Sequence, residues 1–172
     1  MLQLSASFLN KAVLSLQTGT AIATVTGPVI NPNSLKIEGF YCQDRFRKQQ
    51  LILLSQDIRE ILPQGFAVND QATLTEPEEL IRLKEVLELN FELVGKPVVT
   101  TAKEKVGKVS DYAVESETMF IQKLYVAQSV FKSLTGGSLS IDRSQIQEIT
   151  PRRVIVQDLL KKAPATAPAT AA

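Results

Sequence analysis

Residues 56–70, QDIREILPQGFAVND, return near the end of the chain as residues 144–158, SQIQEITPRRVIVQD. An offset of 88 residues aligns the two segments, and several positions then carry the same amino acid. These identical pairs are Ile58/Ile146, Glu60/Glu148, Ile61/Ile149, Pro63/Pro151, Val68/Val156 and Asp70/Asp158. Internal similarity of this kind predicts two copies of one small fold, and it decides the architecture of the whole chain.

The repeat extends upstream at an offset of 84 residues. Apolar positions there align with apolar positions: Ile22/Val106, Val25/Val109, Val29/Ala113, Ile30/Val114, Ile37/Ile121, Phe40/Leu124 and Tyr41/Tyr125. The change of offset from 84 to 88 predicts a four-residue insertion between Tyr125 and Gln145, where Gly136 and Gly137 indicate a turn.

Each copy has the pattern of short strands. Its segments are rich in β-branched residues, alternate apolar and polar positions, and are interrupted at Gly27-Pro28, Asn31-Pro32, Pro63 and Pro151. A sheet this small is protected best when it closes on itself, because closure removes exposed edges. The pattern therefore predicts a mainly β protein with two small antiparallel barrels in tandem.

A short helix is predicted between the copies. Thr75 and Glu78 fit a capping box, and Pro77 suits a first helical turn. An apolar stripe follows at helical spacing, formed by Leu80, Leu83, Leu87 and Phe91. We expect this stripe to pack on the barrels, with a docking face for a partner helix as the alternative.

These signals divide the chain into four parts. Residues 1–74 form a first, diverged copy, residues 75–91 the linker helix and residues 92–162 the second copy. Residues 163–172 read APATAPATAA, a low-complexity composition that predicts a disordered tail.

The second copy resembles the PRC-barrel family. The resemblance is carried by Gly95-Lys96-Pro97-Val98-Val99, by Val106-Gly107-Lys108-Val109 with Asp111 after it, and by the closing segment from Gln145 to Val156. The first copy matches less well, since Asn10, Ala12 and Ala23-Thr24 stand at the positions of Gly95, Pro97 and Gly107-Lys108.

The resemblance implies a binding module and not an enzyme. PRC barrels occur in the H subunit of photosynthetic reaction centres and in a ribosome maturation factor, where they help to assemble a larger complex. The two-copy arrangement is similar to that of stand-alone PRC proteins of photosynthetic bacteria and plastids. A non-catalytic adaptor that binds subunits of a larger complex, with a photosynthetic complex as the first candidate, is therefore expected.

Composition points away from catalysis and metal binding. The chain has no histidine and one cysteine, Cys42, so it lacks the usual groups for proton transfer near neutral pH, for transition-metal ligation and for a disulfide. We expect no cofactor, and we expect Cys42 to be a buried strand residue. No apolar run reaches the length of a membrane span, so a cytoplasmic protein, peripheral to a photosynthetic membrane at most, is expected.

Charge is uneven along a chain whose net charge is +1. Residues 1–74 hold six basic and five acidic residues, residues 75–94 two and six, and residues 95–172 eleven and seven. The candidate partner-binding patch consists of basic residues of the second copy: Lys105, Lys108, Lys123, Lys132, Arg143, Arg152 and Arg153. A solvated surface balanced by nearby glutamates is the alternative to a patch that meets an acidic protein surface, RNA or lipid headgroups.

Two further functions stay open at this point. One is an RNA-processing or ribosome-linked factor that uses the basic second copy, although aromatic residues for base stacking are few there. The other is a barrel that binds a small molecule. The recurring Asp70 and Asp158 are expected to accept backbone hydrogen bonds at strand ends, and Tyr41 and Tyr125 to belong to the barrel walls.

Overall fold

A computed structural model describes residues 1–128 and 137–158. The protein is mainly β, as predicted, with thirteen strands in this part of the chain and one short α-helix, α1, at Lys84–Leu89. The strands of the first copy are β1 Leu2–Leu4, β2 Ala12–Ser15, β3 Ala21–Asn31, β4 Lys36–Asp44, β5 Gln50–Leu54, β6 Glu60–Leu62 and β7 Gly65–Val68. Those of the second copy are β8 Pro97–Thr100, β9 Lys105–Glu115, β10 Ile121–Ala127, β11 Ser138–Asp142, β12 Ile146–Ile149 and β13 Val154–Val156.

The two copies form two sheets of the same topology. The first sheet has the order β5-β4-β3-β2-β7-β6, and the second has the order β11-β10-β9-β8-β13-β12. The prediction of wholly antiparallel sheets is wrong, because β2 pairs with β7, and β8 with β13, in parallel. The final strand of each copy, β7 or β13, therefore runs parallel to β2 or β8, the strand that begins each copy's own sheet.

The shared topology confirms the internal repeat. We call two residues equivalent when the repeat aligns them, at an offset of 85 up to the end of β2, 84 from there to the end of β4 and 88 from β5 onward. Tyr41 pairs with Ile52 in the first sheet, and the equivalent Tyr125 pairs with Ser140 in the second. The predicted insertion therefore lies between Tyr125 and Ser140, and Gly136 of the predicted turn lies outside the described residues.

Most of the strand ends predicted from proline and glycine are present in the structure. Asn31 ends β3, while Pro63 and Pro151 lie in the turns β6–β7 and β12–β13. Gly27-Pro28 does not end a strand, because β3 continues through it with a bulge in its pairing with β4.

The linker is less helical than predicted. Residues Pro77–Glu79 and Ile81–Leu83 form separate 3-10 turns before α1, and Leu80 between them leaves helical geometry at φ −90° and ψ 73°. The predicted cap at Thr75 is absent because its backbone exchanges two hydrogen bonds with Ile52 of β5. Backbone pairing of Thr75 with β5 therefore replaces the helix N-terminus that the local sequence predicts.

The copies meet through equivalent residues. Lys36 forms an antiparallel bridge with Phe120, its own equivalent. Beside it, the Ile37 N–H donates to the Met119 carbonyl at 2.9 Å, and the Ile121 N–H donates to the Leu35 carbonyl at 2.8 Å. Each bond is the counterpart of the other, so a pseudo-two-fold axis passes between the two turns. The chain thus has the form of an isologous dimer within one polypeptide.

The segments before each copy also cross to the other copy. β1 adds to the second sheet by pairing with β9, and α1, whose last turn is equivalent to β1, packs beside β3 of the first sheet. One hydrophobic core cluster includes buried residues of both copies, among them Phe40, Phe66, Ile121 and Leu124. The two copies are therefore one packed unit.

Candidate functional site

The structure places Arg143, a predicted member of the basic patch, at the contact between the two copies. Its side chain lies in the seam between the copies, where Nη2 donates to the Ser34 carbonyl at 2.6 Å and Nη1 to the Leu35 carbonyl at 3.3 Å and the Ile121 carbonyl at 3.2 Å. The guanidinium also lies 4.9 Å from the centre of the Phe120 ring. Its charge therefore serves the contact between the copies.

Lys123 is also separated from the other cations. It lies on β10, and its ammonium group is 3.6 Å from a carboxylate oxygen of Asp142 on β11. The two side chains are 41% and 59% exposed, so the ion pair is a surface contact worth little stability. Lys132 lies outside the described residues.

The remaining cations gather at one end of the second sheet. Lys108 on β9 pairs with Pro97 on β8, and the parallel pairing of Val98 with Val154 places Arg153 on the other side of Pro97. Val98 and Val154 are buried, whereas Lys108, Pro97 and Arg153 are exposed. Because side chains alternate between the faces of a sheet, these three form a row on the outer face.

A second row lies beside the first on that face. Val99 pairs with both Lys105 and Ile155, and Val99 and Ile155 are half-buried. Apolar groups therefore occupy the middle of the face, and basic groups lie at its margin. We call this surface the cationic face; its members are Pro97, Val99, Lys105, Lys108, Arg153 and Ile155, with Arg152 in the adjoining turn.

The first copy has the same surface without the charges. Thr24 is equivalent to Lys108, Gly65 to Arg153 and Gln64 to Arg152. In the structure Ala12 pairs with both Thr24 and Gly65, as Pro97 lies between Lys108 and Arg153. Of the two matching surfaces, only that of the second copy is basic.

A groove lined by residues of both copies and of the linker was not predicted. Its volume is about 850 Å³, and equivalent residues of both copies line it, namely the pairs Ser5/Asn90, Leu9/Val94 and Pro28/Tyr112. Leu9 and Val94 are exposed to nearly the same extent, 45% and 49%. This recurrence of apolar residues was visible in the sequence, but only the crossing of the segments brings them together.

Two side chains that could exchange protons are held in their neutral forms. Burial raises the pKa of the Cys42 thiol to about 12, so the thiol stays protonated near neutral pH. Burial also raises the pKa of Tyr112, and the negative charge of Asp111 adds to this effect. Cys42 is fully buried in β4, as predicted. Neither group is placed as a nucleophile or a base in the described part of the chain.

Other sequence signals have structural explanations. The Asp70 carboxylate accepts a hydrogen bond from the Ala72 N–H at 2.9 Å at the end of β7, as predicted. A Cβ atom on Gly107 would lie 2.1 Å from the Ala127 carbonyl oxygen, so this glycine allows β9 and β10 to approach closely. Gly95 begins the second copy at φ 90°, and its equivalent Asn10 has φ 60°.

Within residues 1–128 and 137–158, no cluster of three or more histidine, cysteine, aspartate or glutamate side chains could hold a metal ion. The same part of the chain contains no helix with the length and apolarity needed to cross a bilayer. Comparison with models of known protein families and with curated protein sequences returned no match to this chain.

Proposed function

We propose that this protein is a non-catalytic adaptor that binds an acidic protein surface through the cationic face and supports the assembly or maturation of a larger complex. The main evidence for this proposal is the arrangement of that face. Lys108 and Arg153 flank exposed Pro97, with Val99 and Ile155 beside them, while the matching surface of the first copy is neutral.

The composition of the cationic face favours protein over RNA as the partner. Protein interfaces combine an apolar centre with a polar rim, and charged groups at the rim select partners of opposite charge. Single-stranded RNA is bound largely by stacking of bases on aromatic rings. The defined members of the face include no aromatic residue. An RNA-linked or ribosome-linked function therefore remains the alternative outcome of the test.

The proposal includes membership of the PRC-barrel family. Two copies with one strand order, bulged long strands and short final strands support it. A barrel would require each sheet to curl until its outer strands, β5 with β6 and β11 with β12, approach each other. The resemblance to PRC proteins further suggests a photosynthetic complex as the partner and a cytoplasmic location at the membrane surface.

Affinity purification with charge-matched variants tests the adaptor proposal. The bait Lys108→Thr/Arg153→Gln loses two positive charges from the cationic face, and Arg47→Gln/Arg82→Gln loses two exposed charges elsewhere. At physiological salt after nuclease treatment, we expect the first variant to recover at least tenfold less of the same partner protein, and the control to recover it normally.

Two outcomes would contradict this proposal. One is a repeated absence of any partner for the unmodified protein at physiological salt. The other is enrichment of RNA or ribosomal protein that Lys108→Thr/Arg153→Gln abolishes, because this would assign the cationic face to the RNA-linked function.

The groove between the copies favours a second candidate, a small-molecule-binding function. Its volume of about 850 Å³ lies within the range of ligand pockets, and its lining combines apolar side chains with polar groups such as Tyr41, Gln50 and Asn90. A metabolite that binds there should raise the melting temperature in a dose-dependent way. Leu9→Asp and Val94→Asp, both at exposed positions, should abolish that shift; a shift that survives them would exclude the groove.

A further inference from the structure

The outer edge of the first sheet is covered by the chain itself. The Ile52 N–H of β5 donates to the Thr75 carbonyl at 2.8 Å, and the Thr75 N–H donates back to the Ile52 carbonyl at 3.0 Å. Leu74, next to Thr75, is only 8% exposed and belongs to the hydrophobic core cluster. Thr75 therefore supplies a backbone partner, and Leu74 an apolar side chain, to this edge.

The equivalent edge of the second sheet is β11. Ser140 takes the place of Ile52, since Tyr125 pairs with Ser140 as Tyr41 pairs with Ile52. The same register directs the Ser140 N–H and carbonyl away from β10. No residue of the described chain pairs with β11 on that side. The backbone groups of Ser140 thus form a vacant counterpart of the Ile52 site.

The apolar half of the site is also uncovered. Leu51 is 7% exposed in the first copy, where Leu74 is present. Its equivalent in the second copy, Leu139, is half-buried and packs against the margin of the core. In the register of the Ile52–Thr75 bridge, Leu74 lies opposite Leu53 and diagonal to Leu51, so an aliphatic side chain placed as Leu74 is placed would lie opposite Ile141 and diagonal to Leu139.

We propose that the β11 edge binds an extended segment of a partner protein by strand addition, with a large aliphatic residue followed by a β-branched residue in the positions of Leu74 and Thr75. The covered edge of the first sheet is the template for this binding. At an offset of 88 the residues equivalent to Leu74 and Thr75 are Lys162 and Ala163, so the sequence of the second copy does not repeat the leucine and the threonine of the template. This site is separate from the cationic face and does not depend on it.

A synthetic peptide of residues 71–77, acetyl-QATLTEP-amide, added to the isotope-labelled full chain provides the test. Nuclear magnetic resonance should show shifts of the Leu139, Ser140 and Ile141 amides, and hydrogen exchange of the Ser140 amide should slow at least tenfold at saturation. N-methylation of the peptide threonine that corresponds to Thr75 removes the N–H donor to the Ser140 carbonyl and should weaken binding at least tenfold. N-methylation of the peptide glutamate is the control, because the Glu76 N–H makes no hydrogen bond in the template.

Protein variants test the same contact from the other side. Ser140→Pro lacks the edge N–H and should lose the peptide, whereas Ser140→Ala keeps the backbone and should bind it. If Ser140→Pro fails to fold, the two N-methylated peptides still decide the question.

Several results would overturn the proposal. They are unchanged spectra at millimolar peptide, shifts confined to other strands, and equal binding of the two methylated peptides. Strong protection of the Ser140 amide before peptide is added would mean that the chain covers its own edge. A concentration-dependent dimer that protects the same amide would assign the edge to a second copy of the chain.

Discussion

Replacing Arg143 with alanine is expected to lower the free energy of unfolding by about 3 kcal/mol. The side chain makes one short charge-assisted hydrogen bond, to the Ser34 carbonyl at 2.6 Å, which contributes about 2 kcal/mol. Two longer bonds from Nη1, at 3.2 and 3.3 Å, contribute about 1 kcal/mol together because they share one nitrogen. The contact with Phe120 adds about 0.5 kcal/mol, and release of the arginine side chain on mutation offsets part of the loss.

The first copy supplies a graded control for this prediction. Ser55 is equivalent to Arg143, and its hydroxyl donates to the Ile37 carbonyl at 2.8 Å, as Arg143 donates to the carbonyl of the equivalent Ile121. Arg143→Ser should therefore keep the bond within the second copy and lose the bonds that cross to the first. We expect it to be about 1 kcal/mol more stable than Arg143→Ala.

Urea unfolding followed by far-ultraviolet circular dichroism measures these differences, and the melting temperature of Arg143→Ala should fall by roughly 6–12 °C. Arg152→Ala removes a charge from an exposed turn and should change stability by less than about 0.5 kcal/mol. If Arg143→Ala proved no more destabilising than Arg152→Ala, the assignment of Arg143 to the seam would be refuted.

Two further predictions concern the close approach of strands and the buried thiol. Gly107→Ala should destabilise the protein by about 2 kcal/mol, because the added Cβ atom would overlap the Ala127 carbonyl oxygen. Gly27→Ala is the control: no atom lies within 4 Å of the added carbon, so its free energy of unfolding in the same urea titration should be unchanged. Because the pKa of Cys42 is raised, the folded protein keeps a thiol proton that the unfolded chain loses above about pH 9. The free energy of unfolding should therefore be unaffected at neutral pH and should fall by about 1.4 kcal/mol per pH unit between about pH 9 and about pH 12. Urea titrations from pH 8 to pH 10 measure this slope; Cys42→Ala should reduce it, and an equal slope in both proteins would contradict the role of the thiol.

The features predictable from the sequence are those that both copies repeat. Pairs such as Pro63/Pro151 and Tyr41/Tyr125 took equivalent places in the two sheets, because apolar alternation and turn residues act locally in each copy. The parallel pairing of the last strand with the first was not predictable in this way. It joins residues distant in sequence, and a period of two is common to parallel and antiparallel strands.

Arg143 and Thr75 show what local patterns miss. The charge pattern predicts Arg143 on the surface, but two of the three carbonyl groups that bind it belong to a turn of the other copy. Thr75 has the spacing of a helix cap, yet two hydrogen bonds to Ile52 compete successfully with that role. In both cases the deciding partner is a backbone group, which has no signature in the amino-acid sequence.

Because the two copies are related by a pseudo-two-fold axis, positions at which equivalent residues differ indicate where function, and not the fold, determines the residue. Where equivalent residues serve only the fold, as with the reciprocal bonds of Ile37 and Ile121, both copies keep the same contact. Where they differ on an exposed surface, as with Thr24 and Lys108, the fold tolerates both residues, so the difference is free to serve binding. The β5 edge, which Thr75 covers, and the β11 edge, which no residue of 1–128 or 137–158 covers, differ in the same sense. Each copy is therefore the internal control for the other, and exchanging equivalent residues between them separates binding from stability more cleanly than alanine substitution.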